Sequence, residues 1–231
     1  MAKQTKRPSD IEAQIAVLAP QWTGGRCLAL IHEFNARFVD QLVSAARDQA
    51  EPSASDVVRV HRSLWMELDA PARALASRCP FLLADIRFQD VKWWQRAQCA
   101  SPSTQKSGYP TRMFARKPAI ELARDALIVA WYIAREDICL AVLMLGMSAA
   151  VADIVGRYGL HHLWYVADHH HQHLRPRCEH RVSFWGRLLS ASVRGDCDAL
   201  HDLHRHAFQI ADAESRPPVF CQAPVTANRR K

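Results

Sequence analysis

The chain has 231 residues, 49% of them hydrophobic and 23% charged, enough apolar material for one large core or two modest ones and too apolar for a disordered chain. Only eight glycines are present, which argues against a turn-rich all-β design, so the expected fold class is all-α with multiple helices. The net charge of +7 is accounted for by the ends alone: Lys3, Lys6 and Arg7 in residues 1–8, and Arg216, Arg229, Arg230 and Lys231 in residues 215–231. The interior is therefore neutral, and a basic domain that grips nucleic acid over its whole surface is excluded. Such cationic tails solubilise a chain and can neutralise phosphates without reading sequence.

Along the chain, Ser9 and Asp10 open a short predicted helix through Leu18, which Pro20 and Gly24-Gly25 break. A longer amphipathic helix follows from Arg26 to about Gln49, with Leu30, Phe34, Phe38, Leu42 and Ala45 at helical spacing as its core face. The 52–55 loop leads into a helix over 56–68, and Asp69 with Pro71 starts the next, which ends at Cys79-Pro80. The run from 81 to 94 fits neither helical nor strand period cleanly; the reading favours helix. Residues 101–118 concentrate Ser, Thr, Pro, Gly and Lys with no apolar period and read as a linker. They divide a helical N-terminal domain (9–100), assigned to assembly, from a second helical domain (119–214). Its predicted helices lie near 119–134, 137–146, 148–157, 160–171, 181–193 and 196–212. The proline-bearing tail, 215–231, is expected to be disordered.

Seven cysteines without any C-x-x-C pair, on a chain with no apolar leader, point to reduced thiols and a cytoplasmic location. No apolar run is long and uninterrupted enough to cross a bilayer, so no membrane association is expected.

Residues 137–168 read as three short helices separated by Gly146-Met147 and by Arg157-Tyr158-Gly159. Ala152 and Gly156 supply the small residue and the glycine that a helix-turn-helix places where its two helices meet, although His162 stands where that motif has an apolar residue. The stretch Asp137 to Arg177 resembles the helical core of FlhD, of the FlhD/FlhC group of bacterial transcriptional activators. It does so without a gap, through Asp137, Ala141, Leu145-Gly146, Ala152-Asp153, Leu160, Ala167 and Arg177. The cysteine cluster near the C-terminus of FlhC-like proteins is missing here. The resemblance implies a transcription activator that binds promoter DNA, as a homo-oligomer or with another regulator subunit. Within it, Arg157, Arg175, Arg177 and Arg181 are the candidate phosphate contacts, and His161, His162 and Tyr165 would face the groove.

Ten of twelve histidines lie between 161 and 206, a density that raises metal binding. His201 and His204 sit at i and i+3, and Cys178 and His180 are further donors, but no H-E-x-x-H pattern is present; no metal or cofactor is expected. Protonation of several histidines near pH 6 would turn this half basic. Trp65, Trp93, Trp94, Trp131, Trp164 and Trp185 lie in apolar-periodic segments and read as core or interface. No nucleophile elbow, phosphate-cradling glycine loop or paired catalytic carboxylates appear, so the chain does not read as an enzyme. The alternative to a DNA-binding regulator is a helical interaction or assembly module that binds a partner chain through its aromatic faces. A histidine-rich metal sensor stands third.

Overall fold

The computed structural model describes residues 24–48, 55–97 and 113–215. The predicted helix at 9–18, both basic tails and most of the 101–118 linker lie outside the described residues. The fold is all-α and multi-helical, with a single two-stranded bridge among the described residues. Helix α1 spans Gly24–Arg47 and is the central strut. The core face is centred where the periodicity puts it, on Phe34, Phe38 and Leu42. At its ends the burial shifts, to Cys27 and Ile31 before and to Val43 and Ala46 after, leaving Leu30 and Ala45 only partly covered.

The helix expected over 56–68 is split into α2 (Asp56–Val60) and α3 (Arg62–Glu67) at His61. His61 leaves helical geometry and its ring docks on a backbone far along the chain, with Nε2 2.7 Å from the carbonyl oxygen of Val182. Gly186 makes room for it: a Cβ there would lie 2.7 Å from the imidazole. Helix α4 (Ala70–Ser77) starts as the sequence signals, with the Asp69 carboxylate accepting from the Ala72 amide at 2.9 Å and Pro71 in the first turn.

The segment from 81 to 90 corrects the expectation of a helix. It forms the short strand β1 (Ala84–Asp85) and a turn before α5 (Val91–Ala97), and β1 pairs antiparallel with β2 (Arg175–Pro176). Its backbone groups are satisfied by distant partners instead of by their own helix. Buried Asn35 donates through Nδ2 to the carbonyls of Ser77, Cys79 and Phe81 and accepts the Leu83 amide at 2.9 Å. The Leu82 amide donates to Met144, and the Arg177 amide to Leu83. An irregular chain can run through the interior only if its amides and carbonyls are paired in this way.

The second half follows the predicted helices closely. Helix α6 spans Arg116–Glu136, and α7 (Ile138–Leu140) runs into a π-helical turn at Ala141–Leu145. Helix α8 is Ala149–Gly156, α9 Leu160–His170, α10 Val182–Arg194 and α11 Cys197–Ser215. Asp137, Ser148 and Asp196 cap α7, α8 and α11 with side-chain oxygens. The end of the expected linker is a correction as well: Met113 and Phe114 are buried, and α6 begins at Arg116.

Nor do the described parts of the two expected domains have separate cores. One cluster of buried side chains draws on both, through Trp65 against Trp185 and Phe81 against Phe184, each pair with ring centroids near 6 Å. The described residues before and after 98–112 thus share a common interior. Among the described residues no single helix is long and apolar enough to cross a membrane, and the apolar pair of α7 with its π turn and α8 is bent by 116°.

Candidate functional site

Helices α8 and α9 both seat on α6, and the three-residue turn between them is pinned from below by Trp131, whose indole N–H donates to the Tyr158 carbonyl at 2.8 Å. Ala152 is fully buried, and a Cβ on Gly156 would lie 3.4 Å from the Ala134 carbonyl oxygen. The small pair therefore lets α8 approach α6. This differs from the helix-turn-helix reading, in which it serves the crossing of α8 and α9.

Of the predicted DNA-contacting residues, three stand together at the start of α9. Arg157 is exposed and ion-paired with Asp153 one turn earlier; the contact holds the Asp153 carboxyl below the usual range. His161 and His162 are exposed, with ring centroids 4.0 Å apart. Tyr165 is half-buried and its ring stacks on His169 at 4.2 Å. Arg181 is half-buried just ahead of α10.

Arg175 and Arg177 are corrections. They are 6% and 8% exposed and lie inside the protein, in and just after β2. Arg177 donates through Nη1 to the Met144 carbonyl at 3.1 Å and holds its guanidinium 5.2 Å from the centroid of the Phe81 ring. Gly146 faces it with φ +68°, and a Cβ at that position would be 2.5 Å from Nη2. The glycine is required twice, for the left-handed backbone that ends the π turn and for the space the guanidinium fills. Neither arginine can reach a phosphate without opening the core.

The histidines divide the same way. His170 and His173 lie against the edges of the Trp93 ring at 5.2 and 5.3 Å. Burial, then Arg87, His170 and Arg175, push the His173 imidazole down to about 4; burial and the flanking His169 and His171 lower His170. His204 is likewise pushed to about 4 by burial and then by His201 and His32. His173 and His204 therefore stay neutral at pH 6 and contribute nothing to the expected basic switch. Among the described residues no group of three or more His, Cys, Asp or Glu is arranged to hold a metal ion.

What the sequence reading missed is an apolar strip on the outer face of the α6–α9 pair. The two helices run antiparallel, since Trp131 reaches Tyr158 while Arg124 reaches Asp168 at 2.7 Å. One turn inward from that ion pair come Ile128 on α6, 40% exposed, and Trp164 on α9, 51% exposed; Leu160, 46% exposed, follows one turn further along α9. Arg135 covers the Trp131 ring at 4.8 Å at the Leu160 end. The sequence did carry a signal. Leu160 and Trp164 are spaced i and i+4 on a stripe apart from Leu163, Val166 and Ala167, which are the residues that face the core.

No known family model matches the chain, and no curated protein or solved structure is detectably similar to it.

Proposed function

We propose that this protein is a helical interaction and assembly module whose working surface is the outer face of α6 and α9. The observation that carries this is the half-exposed indole of Trp164, set between Ile128 and Leu160 and flanked by charged pairs at both ends. A tryptophan with aliphatic neighbours and a polar rim is the composition of an interface hot spot, and a lone surface helix has no use for it. Trp164→Glu removes that surface while leaving the core untouched. The expected outcome is loss of the stable complexes the chain forms in its own cells, with an unchanged melting temperature. Complexes that survive the substitution overturn the reading.

A DNA-binding transcriptional regulator of the FlhD/FlhC-like type, acting on promoter DNA as part of an oligomer, is the second reading. It is favoured by the exposed Arg157, His161 and His162 at the mouth of the α8–α9 turn. With Arg175 and Arg177 internal, phosphate contacts would fall to Arg157, Arg181 and residues outside the described segments. Gel-shift titration with the gene's own upstream region tests it, at about 50 and 200 mM salt, where phosphate contacts lose affinity steeply. Selective binding that Arg157→Ala/His161→Ala abolishes places the second reading first. Absence of selective binding removes it.

A further inference from the structure

We infer that the occupant of the α6–α9 face is the same face of a second copy of this chain, in an antiparallel two-fold contact of α9 with α9; this rests on the interaction-module reading above. The exposed stripe is self-complementary in register. Along the exposed stripe, Arg157 stands at the turn into α9, followed by Leu160, Trp164 and Asp168. Turning a second copy about an axis midway between Leu160 and Trp164 places Leu160 of each copy on Trp164 of the other. The same operation brings Arg157 of each copy to Asp168 of the other, because those two positions share nearly the same midpoint. A single symmetry operator thus satisfies both the apolar centre and the charged ends, as an isologous interface requires.

The α6 side agrees. Arg124 stands beside Asp168 at one end, and Arg135 lies over Trp131 at the other. The rotation therefore brings Asp168 of one copy to the end where Arg157 and Arg135 of the second copy lie. A parallel arrangement would stack Arg157 on Arg157 and Asp168 on Asp168, which like-charge repulsion disfavours. The intrachain pairs Arg157–Asp153 and Arg124–Asp168 are surface contacts of small individual worth, so sharing their charges across the axis costs little.

Sedimentation equilibrium of the full chain across a concentration series tests the assignment. The expected result is a monomer–dimer equilibrium, with Trp164→Glu raising the dimer Kd about tenfold or more. Arg157→Glu and Asp168→Arg should each weaken the dimer, and the double variant should regain affinity over both. That recovery is specific to the antiparallel pairing, because within one chain the two residues have different partners, Asp153 and Arg124. Three results overturn the second copy: a monomer up to about 100 μM, well above a micromolar Kd; a dimer indifferent to Trp164→Glu; or a double variant no tighter than its weaker parent. If the chain is monomeric and Trp164 still governs a complex with a different, defined protein, the second copy is wrong and the interaction module stands. If Trp164 governs no complex, both fall.

Discussion

At the β1–β2 seam the chain buries Asn35, Arg175 and Arg177, whereas on the α6–α9 platform it leaves Trp164, Leu160 and Ile128 half in solvent. The cause is the state of the backbone. On the platform every helix satisfies its own amides and carbonyls, so side chains are free to serve packing or an outside surface. At the seam the chain is irregular while buried, and its carbonyls at Ser77, Cys79, Phe81 and Met144 call polar side chains inward as donors. Polarity of a residue type predicts its place only where the main chain is already paired.

The comparison breaks most visibly at Asn35. Replacing it with Leu leaves three buried carbonyls and the Leu83 amide without their partner, and about 4 kcal/mol of stability should be lost. Urea unfolding measures it. Acidification comes next. Unfolded, His173 takes up a proton below its ordinary value of 6.5; folded, it stays neutral down to about 4. The unfolded state therefore binds more protons in that window, so stability is full above 6.5 and falls by roughly 3 kcal/mol between there and 4. His204 adds to the slope in the same direction. His173→Gln should flatten the decline in melts taken across this range, and an unchanged slope would count against a buried neutral imidazole.

Arg177→Met keeps the apolar stem beneath Phe81 but strips one of the two donors from the Met144 carbonyl, leaving it the Leu82 amide. It should cost about 2 kcal/mol, a fall of some 4–8 °C in Tm for a chain of this size. A loss confined to DNA affinity, with no change in melting, would mean the guanidinium is outside after all. Smallest is the platform itself. Trp164→Glu should change monomer stability by less than about 0.5 kcal/mol, because no core contact is removed.

The helices of the second half were legible almost to the residue, since long apolar periods with Asp137, Ser148 and Gly195 at their ends leave few alternatives. The split at His61 and the path of 81–90 were not. Each depends on a partner far away in the chain, Val182 for the first and Asn35 for the second, and nothing in the local pattern announces them. Of the candidate DNA contacts, Arg157, His161 and His162 are exposed at the surface. Arg175 and Arg177 failed because a cluster of arginines reads as solvent-facing unless one knows that a π turn nearby offers a carbonyl and a side-chain-free glycine. Trp164 was read as core or interface, and its exposure excludes the first.

That arginine and glycine also constrain how the chain can change over generations. A side chain at 146 meets the guanidinium at 177, so a larger residue there needs a smaller 177 first and still carries the strain of the left-handed backbone. Glycine at 146, by contrast, accepts either state of 177. The order of steps is therefore fixed: 177 can change alone, whereas 146 can change only after it.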